Sequence, residues 1–487
     1  MAQAGGGGVA AVRPRLREGS VGLWGDIVAA VTNVAPSAAV ALTLGSIIAA
    51  SGLATPFLVI VVGLAMLCIA FAYHHLNLWQ PTPGAQVMWI ARAVTPLLGF
   101  AAGILLILES SVSNIANISL MGPYLLGIFS SDAASNPVLE YITSLVIMAI
   151  VCAIAVIGIR AAIRFQTYIL WIEYGIMLIF ALVVYWADFT GSSGATAPSL
   201  SWFTPSASPT GLSGIVAGIV ITVFMFGGWE AAVYLGEEQR SAHRDPGRAA
   251  IICVIFCTIW FVFLIFGVQG VASSSELTGH SSNILAFAAG KILPRPLDAI
   301  VSLAVLSSLI AVVQAQLNAW SRVAFGMARE GLIPRQFAFL GSPLTPWFGL
   351  VFAAALPMIL LVFYLANSGI AAVLAAVTAT AGYLYAMLYI VVALACIWYY
   401  RRTLGKSSSQ LFYAGILPAI GALFLIYCVV AGLIAAPSNI LIPTLIFILV
   451  GVPAAFIAMA VTKSDFWHQK PIAAEPSDVP GGVTPGR

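Results

Sequence analysis

The 487-residue chain is predicted to be an all-α polytopic membrane protein of twelve transmembrane helices, with a five-plus-five inverted repeat in which helices 1 and 6 are discontinuous. Three observations predict this. Hydrophobic residues make up 61% of the chain and charged residues 8%, with a mean hydropathy of +1.03, far from a soluble composition. Twelve apolar stretches reach the roughly 18 residues that an α-helix needs to cross a hydrocarbon core about 30 Å thick. Two of them carry helix breakers at membrane depth, where freed backbone groups must line a protected cavity rather than face lipid.

The first stretch, 21 to 48, is interrupted at Asn33-Val34-Ala35-Pro36-Ser37, where Pro36 removes a donor and clashes with the preceding turn. The second, 54 to 76, ends in His74 and His75, which interfacial polarity explains. An amphipathic connector from Gly84 to Thr95 leads into an unusually long third span, 96 to 129. There Glu109, Ser113 and Asn117 recur at i, i+4 and i+8, a polar stripe on one helical face that should look into the bundle. Spans four and five cover 139 to 159 and 165 to 187, and the fifth holds Glu173. Span six, 211 to 236, is broken at Phe226-Gly227-Gly228-Trp229-Glu230. Glycine is poor in a helix interior, and a carboxylate at that depth is costly enough to be a functional candidate by default. Spans seven to twelve cover 249 to 271, 297 to 326, 346 to 366, 370 to 399, 410 to 434 and 438 to 461.

The order of unusual elements recurs at an offset of about 190 to 200 residues: broken span six answers broken span one, and the connector from Ser281 to Leu293 precedes long span eight as Gly84 to Thr95 precedes span three. Five spans per repeat make the second copy enter upside down. The expected organisation is therefore a disordered tail at 1–20, a transporter core at 21–399 with repeats at 21–187 and 211–399, two additional helices at 400–461, and a disordered tail at 462–487. With these spans every Lys and Arg except Lys291 and Arg295 falls on one side, so both termini are expected in the cytoplasm of a bacterial plasma membrane. Six cysteines lie within apolar spans and read as small hydrophobes.

Two broken helices at matching places form opposed partial charges. The half-helix after Pro36 presents the N–H groups of Ser37, Ala38 and Ala39, which favour an anionic group. Carbonyls ending the first half of span six, near Phe224 to Gly227, favour an ammonium. A zwitterion fits such a pair, which makes Ala35, Pro36, Ser37, Ala38, Ala39, Phe224, Phe226, Gly227, Gly228 and Trp229 the expected substrate contacts. Glu230, Glu173 and Glu109 are the candidates for proton coupling, with Glu230 either a cap for freed backbone donors or a group that titrates during the cycle. No nucleotide-binding Gly-rich loop, metal cluster or nucleophile with a base is present, so neither a cofactor nor an enzymatic function is expected. An ion channel remains the alternative of a different class, although it would predict a filter segment or rings of like charge. The Arg240, Arg244 and Arg248 series is expected to anchor phospholipid or form salt bridges rather than bind nucleic acid.

These residues resemble the amino acid, polyamine and organocation (APC) superfamily of permeases over nearly the whole chain. The sixth-span motif matches Phe226, Gly227, Gly228, Trp229 and Glu230, followed by Glu237-Glu238. The eighth-span signature matches Asn318-Ala319, Ser321-Arg322, Met327 through Pro334 and Thr345-Pro346. Three departures stand out. Between spans two and three, one Gly and a Tyr of the pattern are replaced at Ala85 and Val87; after span six, Pro246-Gly247-Arg248-Ala249 carries an inserted residue; and the first break reads Ala35-Pro36-Ser37-Ala38 where many amino acid permeases have a Gly-rich turn. The last weakens any transfer of α-carboxylate recognition. The resemblance implies that Trp229 acts as an occluding gate. It also implies that Ser307 and Ser308 are sodium-site candidates, and that Glu173 stands where proton-coupled relatives often have Lys. The implied function is an alternating-access permease importing an amino acid or related amine with H⁺, or with Na⁺ or by exchange, possible oligomerisation being left open.

Overall fold

Pro36 divides the first apolar stretch into α1 (Leu23–Val34) and α2 (Pro36–Ser51), with Ala35 between them in the left-handed region at φ 47°, ψ 67°. The cause is local. Proline is well placed at the first position of a helix, but it disfavours a helical conformation in the residue before it. The computed structural model describes residues 19, 21–129, 136–157, 159–191, 198–281, 283–341, 344–367 and 370–475. The expected tail at 1–20 therefore lies almost wholly outside the described residues, as does 476–487.

After α2 the chain reverses through a short turn at Gly52–Ala54 into α3 (Thr55–Trp79). The connector forms α4 (Ala85–Ala93), followed by the long α5 (Pro96–Phe129), α6 (Pro137–Ile157) and α7 (Ile159–Thr190). The second interrupted stretch gives α8 (Gly211–Phe226) and a single turn, α9 (Ala231–Tyr234). Then come α10 (Asp245–Val268), α11 (Ser274–Gly279), the second connector α12 (Ile284–Ile292) and the long α13 (Leu297–Arg329). The remainder is α14 (Trp347–Asn367), α15 (Ile370–Tyr400), α16 (Ser408–Gln410), α17 (Leu417–Ala435) and α18 (Ser438–Thr462), with one π-helical stretch at Leu411–Ile416 joining α16 to α17. The sequence of broken helix, helix, short connector and long helix thus occurs twice.

Among the described residues, ten helical segments are long and apolar enough to cross a membrane. The difference from the expected twelve has two sources. Leu23–Trp79 forms one apolar segment of 57 residues, which would be about 85 Å long if straight but doubles back at Gly52–Ala54. The ninth expected span appears as the shorter apolar helix Trp347–Val362, within α14.

The centre of the bundle is built from α1, α2, α3, α5, α8, α10, α13 and α15, which pack on one another. In the Leu374–Tyr400 segment 78% of the most apolar window is buried, against 17% in Ser438–Thr462, so α15 is central and α18 lies at the periphery on α5 and α15. The polar stripe of α5 faces inward: Glu109, Ser113 and Asn117 are all buried.

The segment after α18 departs from the expected disorder as far as residue 475. Ser464 Oγ donates to the carbonyl of Glu330 at 2.7 Å, the Ile472 amide to Arg92 at 2.7 Å, and the Ala474 amide to Tyr399 at 2.9 Å. Phe466 is buried, and Trp467 packs its ring 5.5 Å from that of Phe100. Two apolar aromatics in a segment otherwise rich in Pro and polar residues supply the burial that holds this strap across the helix ends.

Candidate functional site

The two breaks lie against each other. The Asn33 side-chain amide donates to the carbonyl of Gly228 at 2.8 Å, joining positions 195 residues apart. Gly228 has φ +110°, and a Cβ there would stand 2.6 Å from the Asn33 carbonyl oxygen, so both the conformation and the close approach require glycine. Gly227 has no room for a side chain either, because its Cβ would fall 2.4 Å from the Tyr385 ring.

The amide of Gly228 that the break frees is capped by Glu230, whose Oε2 accepts from it at 3.2 Å and from the Tyr389 hydroxyl at 2.8 Å. The Ala231 amide returns to the Gly228 carbonyl at 3.0 Å, and the Gly227 amide to the Phe224 carbonyl at 2.9 Å. The amides of Gly227, Gly228 and Ala231 at the break are thereby satisfied from within the protein.

At the first break the expected donors are largely engaged. Ala38 donates to Ser308 Oγ at 3.2 Å, and Ala39 donates to the Ala35 carbonyl at 2.8 Å as an ordinary helical bond. The amide and hydroxyl of Ser37 face the Glu173 carboxyl, as does the hydroxyl of Ser308. Pro36 has no N–H to offer. Beside them a small cavity with room for about one water-sized occupant is lined by Thr32, Ala35, Pro36, Gln166, Glu173 and Ser308, among others. Glu173 Oε1, Thr32 Oγ1 and Ser37 Oγ are buried without a hydrogen-bond partner. Ser307 is turned away, its hydroxyl bonded to the Ala304 carbonyl of its own helix at 2.7 Å.

A second acidic group faces the other break. Glu109, from the α5 stripe, interacts with Glu230 and the Tyr385 hydroxyl, and it accepts from Ser110 at 3.3 Å. Its Oε1 is buried and unpartnered. Trp229 is fully buried, with its ring centroid 4.8 Å from that of Tyr73 and 5.2 Å from that of Tyr389. Tyr385 stands 5.8 Å from Tyr389, and Phe224 lies 6.4 Å from Tyr385. Phe226 instead packs edge-on against Phe261 of α10 at 5.1 Å. Sequence reasoning did not single out Asn33 for this bond, nor Tyr73, Tyr385 and Tyr389; the last two are one helical turn apart on α15, a spacing that could have marked a shared face.

At one end of the breaks the chain is tied together by hydrogen bonds and an ion pair. The Val21 amide donates to the Glu238 carbonyl and the Arg240 amide to that of Val21, both at 3.0 Å, and the Gln239 side chain donates to Asp26. Arg322 of α13 grips Glu238 with Nε to Oε2 at 2.5 Å and Nη2 to Oε1 at 3.3 Å, while Nη1 donates to the Asn318 carbonyl at 2.9 Å. Both members of the pair are buried.

The profile of a family described as amino acid permease matches residues 22–459. The low-affinity putrescine importer PlaP of Escherichia coli (strain K12) is 22% identical over 369 residues, covering 74% of this chain and 77% of that one. The D-serine/D-alanine/glycine transporter of the same strain is 27% identical over 178 residues, 36% of this chain and 38% of that one. The aromatic amino acid transport protein AroP of Corynebacterium glutamicum is 25% identical over 245 residues, 47% of this chain and 50% of that one.

Proposed function

The chain belongs to the amino acid permease family and is a membrane transporter rather than an enzyme, and from that premise we propose an alternating-access carrier that imports an amino acid or related amine, driven by protons. The observation that carries the reading is the pair of broken helices meeting at the Asn33–Gly228 hydrogen bond, the arrangement that secondary transporters use to bind cargo near the bilayer midplane. Counting Leu23–Trp79 as two crossings and adding the α14 helix gives twelve, with the Arg322–Glu238 end and both termini in the cytoplasm. On this reading the pair and the Val21–Arg240 clasp close the inner side, and the two halves containing α1 and α8 are inverted copies.

Glu173 is the proposed coupling group. It is a buried carboxyl with an unpartnered oxygen, beside a small cavity lined by hydroxyls of α1 and α13, where a proton or a sodium ion can sit without occupying the cargo site. Sodium coupling and exchange are the competing forms of the same function. Glu230 serves first as the cap of Gly228 and second as a group whose charge responds to cargo.

Proteoliposome uptake with an imposed pH gradient, with a sodium gradient and with neither separates these forms, and conductance in the same vesicles separates a carrier from a channel. Saturable accumulation driven by the pH gradient is expected. Glu173→Gln is expected to reduce accumulation to equilibration while leaving counterflow intact; loss of both together removes the coupling assignment. Glu230→Gln is expected to abolish accumulation more than it lowers expression, whereas equal losses would leave Glu230 with the capping role alone.

A further inference from the structure

We propose that Gln86 of α4 is a positioning residue that latches α9 in place, and that the strap after α18 sets this latch by fixing α4. The proposal rests on the carrier reading above, in which the chain after the Gly227–Gly228 break must part from its surroundings before the end bearing the Arg322–Glu238 pair can open.

The first observation is a bond between two distant elements. Gln86 Nε2 donates to the Tyr234 hydroxyl at 2.6 Å across 148 positions of sequence, and both residues are buried. Tyr234 ends α9, the single turn that follows Glu230. The chain just beyond it also lies against the residues leading into α4, since a Cβ at Gly236 would stand 3.3 Å from the Thr82 amide nitrogen. A swing of α9 about the glycine break therefore has to part Gln86 from Tyr234 as well as Arg322 from Glu238. The two ties differ in strength. Gln86 Oε1 is buried with no hydrogen-bond partner among the described residues, so one neutral bond joins this side chain to α9, and such a bond opens far more readily than a buried ion pair.

The second observation is that α4 is not free to follow α9. A Cβ at Gly326 of α13 would stand 2.9 Å from the Gly84 amide nitrogen, and one at Gly99 of α5 would stand 2.5 Å from the Ala91 side chain, so α4 is seated against both long helices without slack. Ala85, directly before Gln86, has φ +34°, a conformation that a residue with a side chain keeps only where its surroundings enforce it. The other end of α4 is held by the strap. The carbonyl of Arg92, in the last turn of α4, accepts the Ile472 amide at 2.7 Å, and Trp467 packs on Phe100 near the start of α5. A chain of contacts thus runs from the strap through α4 to the turn beside Glu230.

The test reads access to Thr82, which is 7% exposed and lies beside Gly236. Thr82→Cys is introduced into the full-length protein with Cys428 kept as its one native cysteine, and reaction with a water-soluble maleimide is timed in lipid nanodiscs. Gln86→Leu is expected to speed reaction at position 82 about tenfold, the shift that loss of one buried hydrogen bond gives. The rate at Cys428, buried in α17, should not change. Tyr234→Phe removes the same bond from the other side and should give the same increase, with no further gain in the double variant; it decides the matter if Gln86→Leu fails to assemble. Ending the chain at Lys463 should also speed reaction at position 82, and should add nothing to Gln86→Leu. Unchanged rates in both point variants, or an equal rise at Cys428, overturn the latch. A truncation whose effect multiplies with that of Gln86→Leu overturns the strap's part in it. Absence of saturable uptake in proteoliposomes would remove the carrier reading, and it is measured separately from these rates.

Discussion

Replacing Gly228 with valine is expected to abolish uptake and to lower the thermal midpoint of the purified protein. The residue has φ +110°, a conformation that side-chain-bearing residues adopt at a cost of about 1–3 kcal/mol. That strain is the smaller part. A Cβ would stand 2.6 Å from the Asn33 carbonyl oxygen and 2.8 Å from Asn33 Nδ2, so the two broken helices would have to separate and the bond between them would be lost. Once they part, the Gly228 amide also loses its alignment with Glu230. Gly290 in α12 is the control, because a Cβ there meets nothing within 4 Å. Gly290→Ala is expected to behave as wild type in uptake and melting. A Gly228→Val protein that still accumulates substrate would show that contact between the breaks is dispensable.

Removal of Arg322 is expected to have the largest effect on stability. The guanidinium is 1% exposed and bound through two nitrogens to Glu238, with a third nitrogen on the Asn318 carbonyl. Breaking a buried pair by deleting one partner costs about 3–5 kcal/mol, because a charge is left in a low-dielectric surrounding. Arg322→Met should therefore aggregate on extraction or melt well below wild type, as read by size-exclusion chromatography and a thermal ramp. The double variant Glu238→Met with Arg322→Met should regain much of that loss, since neither charge remains. A double variant no more stable than Arg322→Met alone would mean that Asn318 and the packing around the guanidinium, rather than its charge, determine the stability.

The breaks were legible because their causes are local. Pro36 dictates the start of a helix wherever it sits, and two adjacent glycines at membrane depth disrupt a helix without reference to the rest of the chain. The polar stripe of α5 was legible for a similar reason, since three polar residues at i, i+4 and i+8 fix their own common face. What escaped was every property set by a distant partner. The amides of Ala38 and Ser37 read as free donors, but Ser308 and Glu173 lie well over a hundred residues further along the chain and reach them only through the fold. Tyr385 and Tyr389 look like ordinary aromatic filling in an apolar span; their hydroxyls gain meaning only beside Glu109 and Glu230. Ten long apolar segments stand among the described residues where twelve stretches were expected, because the short turn at Gly52–Ala54 joins two stretches into one helical segment and the ninth stretch gives a shorter apolar helix. Phe466 and Trp467 were overlooked because a Pro-rich, polar composition outweighed two aromatics.

The strap formed by Ser464, Ile472 and Ala474 grips residues 330, 92 and 399. Each of those anchors emerges from the ribosome before the strap does, so it can seat only after the helices bearing all three have been inserted and brought together. The strap is therefore a late stitch in biogenesis, placed only once the parts of the chain that hold it have come together.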